Sequence, residues 1–465
     1  MTAAMTAQQR LVLTVAVLGS FVAFLDGTVV NVALPAIARE LGGGLATQQW
    51  AVDSYLITLG ALILVAGAVS DAYGRLLVLK IGLIGFGVAS VAVALSPDTT
   101  FLIISRAVQG AAGAFLVPSS LALITGTMDE PLRSRAIGIW TSLTTGAFIL
   151  GPLIGGVIVD NWSWRWVFFI NVVPIGIALW LATRLGMPDE RAPDAKVDII
   201  GAVLCTLGLG ATVYALIEQQ TFGWQSPLIW VPMTLGILML VAFVWRQHAT
   251  SHPVLPLDMF RRRNFSAGNL ATLFIYAALS LNVFVVAVYL QQGAGLSATV
   301  AGLAGLPTTV LVILLSSRIG TMAGRLGPRL FMTVGPLVMA VGAVLLLTVS
   351  QAFDYWWQVL PSMLLFGLGL AITVAPLTAA ILGAADHGRS GIASAVNNAV
   401  ARVAGLLAVA ALASITGGAL DLEGFHRAAV VTAVLLAIGG VVSLVGIRNP
   451  TRAERQEEPA APSSP

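Results

Sequence analysis

The chain has 465 residues, of which 57% are hydrophobic and 10% are charged, and its mean hydropathy is +0.92. Soluble domains carry about 25% charged residues, so this composition excludes a soluble globular protein. A net charge of +3 is too small to indicate nucleic acid as a partner, and Cys205, the single cysteine, excludes an internal disulfide. We therefore expect an all-α membrane protein in contact with the lipid bilayer.

A transmembrane helix needs about 20 mostly apolar residues to cross ~30 Å of hydrocarbon. The tail 451–465 is rich in Pro, Ala, Ser and Glu and is expected to be disordered. Fourteen segments before it meet the length requirement: 11–34, 48–69, 76–95, 101–125, 135–159, 166–186, 199–219, 228–247, 264–291, 298–319, 329–349, 357–383, 392–416 and 425–447.

Basic residues predict the orientation of these spans. If the N-terminus is cytoplasmic, 19 of the 24 Lys and Arg residues fall in cytoplasmic loops and 3 fall in outer loops. This bias agrees with the positive-inside rule, and eight of the eleven tryptophans lie at the outer helix ends, where indole rings favour the interface. The sequence thus predicts a multi-pass protein of a bacterial plasma membrane with both termini in the cytoplasm.

The loop after span 2 recurs after span 10. Residues 67–75 read GAVSDAYGR and residues 320–328 read GTMAGRLGP, with glycines matched at a constant offset of 253. Duplicated halves around a central site are typical of transporters. We predict an N-terminal six-helix half (1–190), two inserted helices with a cytoplasmic linker (191–260) and a C-terminal six-helix half (261–450).

Four charged residues fall well inside spans, namely Asp26, Asp53, Arg106 and Arg402. Each costs at least ~2.5–3.5 kcal/mol at a helix centre, so each is expected to face a cavity and a partner. At about 1.5 Å per residue, the first three reach one level roughly 8 Å from the outer edge. A salt bridge that only fixes helix packing is the structural alternative for them.

A carboxyl group at this position is suited to proton coupling. Burial favours the protonated acid, whereas a nearby arginine favours the carboxylate, so a change of access can change protonation. With an assumed driving force of about 150 mV, one proton supplies roughly 3.5 kcal/mol, which supports a ~300-fold substrate gradient. We predict that Asp26, Asp53 and Arg106 couple proton flow to transport.

Two glycine-rich segments are predicted to serve conformational change. In the cytoplasmic loop, glycines permit a tight turn, Asp71 can meet a helix N-terminus of the other half, and Arg75 can meet a carboxylate. In span 5, two glycines four residues apart let a neighbouring helix approach, and a proline invites a kink. The residues are Gly67, Asp71, Gly74, Arg75, Gly151, Pro152, Gly155 and Gly156.

Other polar residues within spans are candidates for substrate binding, with interhelical hydrogen bonding as the alternative. On span 13, Asn398 and Arg402 share a face because they are four residues apart, while Asn397 points about 100° away. The candidates are Asn31, Tyr55, Gln109, Tyr276, Asn282, Asn397, Asn398 and Arg402.

Several chemistries lack their motifs. Neither lysine follows a glycine, so the sequence contains no phosphate-binding Gly-Lys-Ser/Thr segment and does not predict an ATP-driven pump. No Gly-x-Ser-x-Gly, His-Glu-x-x-His or zinc-spaced cluster occurs. We expect no enzyme activity, no cofactor and no metal site.

At this point the motifs resemble those of a known family. Residues 24–35 (FLDGTVVNVALP) resemble the first-helix motif of the fourteen-helix drug:proton antiporters of the major facilitator superfamily. Residues 67–75 are similar to the loop motif of that superfamily, 105–110 (SRAVQG) to its fourth-helix motif, and 151–156 (GPLIGG) to the antiporter motif of helix 5. Residues 164–172 match the segment leading into helix 6, and 50–55 (WAVDSY) resemble a subset that includes quaternary-ammonium exporters.

The resemblance covers essentially the whole chain and implies a proton-coupled exporter in which the fourth-helix arginine, Arg106 here, manages proton transfer. The helix 5 motif is associated with export rather than uptake. Two departures matter: Ala72 stands where the loop motif usually has a basic residue, and spans 9–14 contain no buried acid. Relatives that handle divalent cations tend to have such an acid.

The sequence therefore predicts a monomeric major facilitator that exchanges small amphipathic organic compounds, such as drugs or antibiotics, for protons. A dedicated exporter of one natural product is an alternative within the same class. A non-transporting membrane receptor or scaffold is the alternative from a different class.

Overall fold

The computed structural model describes residues 5–186, 197–250, 253–385 and 389–449, and its regular elements there are helices. The predicted disordered tail lies outside these residues. Short non-α turns of helix occur at Leu257–Arg261, Leu346–Thr348 and Tyr355–Val359. The α-helices are α1 (Ala7–Leu41), α2 (Gly44–Tyr73), α3 (Arg75–Ala94), α4 (Thr99–Gly113), α5 (Leu116–Thr127), α6 (Glu130–Thr145), α7 (Ala147–Asn161), α8 (Trp166–Phe169), α9 (Val172–Thr183), α10 (Ile199–Phe222), α11 (Pro227–Ala249), α12 (Arg263–Gln292), α13 (Ala298–Ala304), α14 (Leu306–Leu326), α15 (Pro328–Leu345), α16 (Leu360–Gly383), α17 (Ser390–Ala410), α18 (Leu412–Thr416) and α19 (Leu422–Gly446).

Thirteen helical stretches of the described residues are long and apolar enough to cross a membrane. A fourteenth is α2, whose segments Gly44–Ile63 and Val65–Tyr73 meet at 59°. Each predicted span corresponds to one of these stretches. Four of them consist of two consecutive α-helices, namely α4 with α5, α6 with α7, α8 with α9 and α13 with α14.

The break in span 5 differs from the predicted kink. Helix α7 runs unbroken through Pro152, and the interruption falls at Gly146, between α6 and α7. Proline leaves the carbonyl four residues earlier without its donor and strains the preceding turn. One residue before the carbonyl that Pro152 leaves without a donor, the Ala147 carbonyl accepts a hydrogen bond from the Thr28 hydroxyl of α1 at 3.2 Å, which ties this turn to α1.

The duplicated loop produces the same turn twice. Gly74 ends α2 and begins α3 with φ +105°, and Gly327 ends α14 and begins α15 with φ +90°. Residues with a Cβ rarely adopt this backbone conformation, so both turns require glycine. The predicted offset of 253 residues thus relates two structurally equivalent corners.

The helices form two halves with separate interiors. In the N-terminal half, residues of α1, α2, α3, α5 and α9 share one apolar cluster, and in the C-terminal half α12, α15, α16, α17 and α19 share another. Of the inserted helices, α10 packs on both α2 and α17, while α11 packs on α10 and exposes most of its apolar surface. Two halves with two inserted helices match the predicted major facilitator architecture.

The two faces of the molecule differ. We call the face with the start of α1 and the end of α19 the termini face, and the other the far face. Toward the far face, one apolar cluster joins both halves through α1, α7, α12 and α13. Toward the termini face, α5 and α6 pack on helices of their own half. The halves are therefore closed against each other at the far face.

Candidate functional site

A buried ion pair lies inside the N-terminal half. Arg106 of α4 donates from Nη1 to Oδ2 of Asp26 on α1 at 2.6 Å. Both side chains are at most 1% exposed. A buried ion pair requires additional hydrogen bonds to offset its desolvation, and this one has them.

Amides complete the surroundings of the carboxylate. Oδ1 of Asp26 accepts from Gln109 Nε2 at 2.9 Å and from Asn171 Nδ2 at 3.0 Å. Gln109 also donates to the Ser90 hydroxyl and accepts from Arg106 Nη1 at 2.7 Å. Every described group bonded to Asp26 is therefore an N–H donor.

The arginine is held from two further directions. Arg106 Nε donates to the Ala51 carbonyl of α2 at 2.9 Å, and its guanidinium lies 4.4 Å from the ring centroid of Tyr55. The ring of Phe168 lies 5.5 Å away. Contact with aromatic faces stabilises a desolvated cation. Helices α1, α2, α4 and α8 thus all position one side chain.

A glycine allows α4 and α2 to approach closely enough for these contacts. A Cβ on Gly110 would meet the backbone carbonyl of Tyr55 at less than contact distance, so a larger residue would separate the two helices. Thr58 fastens the same contact by donating to the Ala107 carbonyl at 2.7 Å. The predicted fourth-helix motif therefore supplies both the charged side chain and the space that admits it.

Asp53 lies apart from this network. It is fully buried on α2, and neither carboxylate oxygen has a hydrogen-bond partner among the described residues. It shares a helix face with Gln49, which donates to the Val409 and Ala410 carbonyls of α17 at 2.6 and 3.0 Å. The sequence grouped Asp53 with the ion pair, whereas the structure places it on the side of α2 that faces the C-terminal half.

Arg402 lies on the same contact between α2 and α17. A Cβ built on Gly60 of α2 would lie 3.5 Å from the Cβ of Arg402. Tyr55 and Tyr276 lie on α2 and α12, the two helices that pack most extensively on α17. Arg402 is half-buried and forms no ion pair with any residue of the described ranges.

The asparagines of α17 do not behave as a pair. Asn397 donates to Thr272 at 2.8 Å and to Asn269 at 3.3 Å, both on α12, so it fastens two helices of one half. Asn398 is exposed and bonds the Ser394 carbonyl of its own helix. Interhelical hydrogen bonding, the alternative to substrate binding, therefore applies to Asn397.

The remaining substrate-binding candidates divide into three groups. Tyr55 and Gln109 are buried within the Asp26 network, so neither faces open space in this conformation. Asn31 donates to carbonyls of its own helix. Tyr276 and Asn282 on α12 make no side-chain hydrogen bond to the part of the chain that the structure describes, and they remain available to a ligand.

The cytoplasmic-loop motif forms a local ion pair. Arg75 Nε lies 3.2 Å from Asp71 Oδ1, and Nη1 donates to the Ala122 carbonyl of α5. Asp71 therefore pairs within its own loop instead of meeting a helix N-terminus of the other half. Gly67 has open space around it, and Gly74 makes the turn described above. The predicted lock between the halves is not engaged in this conformation.

The span 5 glycines face two different neighbours. A Cβ on Gly151 or Gly155 would press on Thr28 or Val29 of α1, within the N-terminal half. A Cβ on Gly156 would lie 2.5 Å from Thr299 Cα, and one on Gly302 would lie 2.5 Å from the Pro152 carbonyl oxygen, both across the halves. We call this contact between α7 and α13 the far joint.

A carboxylate strengthens the far joint. Asp160 at the end of α7 accepts hydrogen bonds from the backbone N–H groups of Ala298 and Thr299, at 2.9 and 2.8 Å. The first N–H groups of a helix lack partners within the helix, and a carboxylate there is doubly favourable. Asp160 therefore caps α13 from the opposite half.

Sequence analysis missed three residues with defined roles. Ser90 and Asn171 belong to the Asp26 network, and Asp160 belongs to the far joint. A serine within an apolar span carries no signal of its own. Asn171 lies in the segment that matched the helix 6 motif, and Asp160 lies four residues before the start of that segment, so that resemblance was the available signal.

The chain is similar in sequence to a known family and to antibiotic resistance proteins. Residues 16–409 match the model of the Major Facilitator Superfamily. The chain is 34% identical over 438 residues to the methylenomycin A resistance protein of Bacillus subtilis (94% of this chain, 92% of the relative). It is 32% identical over 400 residues to the tetracenomycin C resistance and export protein of Streptomyces glaucescens (85% and 73%).

A solved structure agrees on the fold. The peptide transporter POT in complex with sulfate superposes with a TM-score of 0.70 at 16% identity, over 94% of this chain and 93% of that one. At this identity the likeness shows the fold alone. With the family match, these findings confirm the predicted class: the chain is a multi-pass membrane transporter, not an enzyme, and it belongs to the major facilitator superfamily as one of its drug:proton antiporters.

Proposed function

We propose that this protein exports small amphipathic organic compounds from the bacterial cytoplasm in exchange for protons, with Asp26 as the proton-binding group. The network around Asp26 carries this proposal. A carboxylate bonded to three N–H donors is fully satisfied, whereas a carboxylic acid has a hydroxyl hydrogen that none of those donors can accept. Protonation of Asp26 therefore requires at least one partner to move.

The hydrogen-bond partners of Asp26 connect its protonation to the contact between the two halves. Gln109 and Asn171 each have a carbonyl oxygen that could accept the acid proton after rotation, and Oδ1 of Asn171 is buried without a partner. Arg106 is bonded to α2 through Ala51, and α2 packs on α17. Loss of its bond to Asp26 would thus release the Arg106 side chain, which is bonded to the helix that contacts the other half. Tyr55 and Gln109 act as positioning residues.

Asp53 provides a second protonatable group in the proposal. It is buried between the halves, and no described residue donates a hydrogen bond to it, so an ionised carboxylate is costly at this position. Movement of α2 away from α17 would admit water to it. Its protonation would then follow the opening of the far face, as coupling requires.

The closed far joint and the unengaged Asp71 loop support a conformation that opens toward the termini face. We propose that this face is cytoplasmic in a plasma membrane, in line with the distribution of basic residues. We retain the division into residues 1–190, 191–260 and 261–450, and a monomer as the working unit. The names of relatives support antibiotics as the substrate class.

Substrate-induced proton release from purified protein tests the proposal. We expect the wild type to release protons when substrate is added, and Asp26→Asn to release fewer, because an amide keeps the shape and loses the titration at this position while Asp53 still titrates. Asp98→Asn, which changes a helix cap outside the network, serves as the matched control. Equal release from Asp26→Asn and wild type would contradict the proposal.

The alternatives give different results. A dedicated exporter of one natural product would release protons with one compound of a broad panel, and an exporter of many drugs with several. A receptor or scaffold would bind compounds without moving them into vesicles. Transport by the wild type that a protonophore abolishes would exclude the receptor.

A further inference from the structure

Arg402 is an interior cation that forms no ion pair with an acid in the part of the chain that the structure describes. Asp26 is bonded to Arg106, and neither oxygen of Asp53 has a hydrogen-bond partner among the described residues, so neither of these interior acids neutralises Arg402. Within the described part of α12–α19 and their loops, the acids are Asp354, Asp421 and Glu423, and all three lie at the far face. The interior of the C-terminal half is therefore positive.

A charged residue within a span normally faces its partner or a water-filled cavity. Arg402 lies at the 13th position of the 21-residue α17, at the middle of the membrane. It contacts α2 of the opposite half at Gly60, and the hydroxyl group of Tyr276 on its own half is unbonded within the described ranges. An unpaired cation thus lies where the two halves meet, on a helix that packs against the helix of Tyr276.

We propose that Arg402 binds the ionised acidic group of the substrate, so that the preferred substrates are amphipathic organic acids with a carboxylate or a phenolate. The inference rests on the proposed function and names its substrate class. A guanidinium binds a carboxylate through two parallel N–H···O bonds, a geometry that no other side chain offers. Tyr276 can donate a third hydrogen bond to the same group.

The charge balance of the cycle follows from this assignment. When one monoanion leaves and one proton enters, two elementary charges move in the direction that the membrane potential favours. Export of a neutral analogue moves one. Transport of the acid therefore depends on membrane potential more steeply than transport of its neutral ester, which gives a second readout independent of affinity.

The test compares an amphipathic aromatic carboxylic acid, its methyl ester and its amine analogue in inside-out vesicles. In the wild type, we expect a half-saturation concentration at least tenfold lower for the acid than for the ester. Arg402→Gln should reduce this ratio to about one, and Arg402→Lys should retain part of it. Arg10→Gln, which removes an exposed cation at the start of α1, should leave the ratio unchanged.

Three results would overturn the inference: a wild-type preference for the ester or the amine, an equal loss for acid and ester in Arg402→Gln, or equal steepness of voltage dependence for both. Proton release on addition of the amine, insensitive to Arg402→Gln, would leave the proposed function standing and reject only this substrate class. Absence of proton release with all three compounds would reject the proposed function.

Discussion

The two halves of this duplicated fold share their corners but not their interiors. Gly74 and Gly327 make equivalent turns, yet the N-terminal half encloses a cation with its carboxylate and two amides, while the C-terminal half holds Arg402 without an acid. The hydrogen bonds of the Asp26 network are satisfied only while Asp26 is ionised, so its protonation favours a rearrangement. An unpaired arginine favours the binding of an anion. Under the two proposals above, proton chemistry and substrate recognition lie in different halves of the duplicated fold.

The largest expected effect concerns the stability of two glutamine variants, which tests whether the arginines of the two halves are paired differently. Arg106→Gln leaves Asp26 buried without its charged partner and should reduce the free energy of unfolding by about 3–5 kcal/mol. Arg402→Gln removes a cation that has no acidic partner, so its effect should stay within about 1 kcal/mol. Thermal unfolding followed by tryptophan fluorescence in detergent measures both, and equal losses would show that the interiors do not differ.

The far joint can be tested through its glycine. Gly156→Ala places a methyl group 2.5 Å from the backbone of Thr299, so closure of the far face should cost about 1–3 kcal/mol and transport should fall roughly tenfold. Gly176→Ala is the control, since a Cβ there meets nothing within 4 Å. In a Cys205→Ser background, a single cysteine at Asn31 should react faster from the far face in the Gly156 variant. Unchanged reactivity would mean that the far joint tolerates the methyl group.

The carboxylate of the far joint should have a smaller effect. Asp160→Ala removes two hydrogen bonds to α13, and a lost cap costs about 1 kcal/mol, which shifts the closed-to-open ratio about fivefold. Asp98→Ala removes a cap of similar strength within one half and should leave this ratio unchanged. Labelling of the same reporter cysteine distinguishes a joint between halves from a simple helix cap.

The smallest expected effect concerns the inserted helices. Burial raises the pKa of Asp198, but hydrogen bonds from the Gly201 N–H, Arg246 and Gln247 outweigh this and leave its pKa below the usual value. A lowered folded-state pKa stabilises the fold above the unfolded pKa of about 3.9 and loses that effect as pH falls through the folded value. The difference in melting temperature between wild type and Asp198→Asn should therefore be present at pH 7 and shrink below about pH 4. A difference independent of pH would show that charge is not its cause.

Hydropathy predicted the number of helices, glycine spacing predicted the repeat, and depth in the membrane predicted the Asp26–Arg106 contact. Each of these depends on the position of a residue along the helix axis. The orientation of side chains around the axis was harder to predict. Asp53 shares a depth with Asp26 but faces α17, and the relative roles of Asn397 and Asn398 depend on how α17 is rotated against α12. Ser90 and the break at Gly146 depend on neighbours that only the folded chain supplies.

The inserted helices make the molecule asymmetric toward the lipid. Helix α10 packs along the boundary between α2 and α17 and shields it from lipid. The Trp50 indole N–H of α2 donates a hydrogen bond to Glu218 of α10 at 2.8 Å. The opposite line, along α6 and α14, has no such cover from α10 or α11. A hydrophobic compound in the bilayer therefore meets an inserted helix on one side of the molecule and the helices of the two halves themselves on the other.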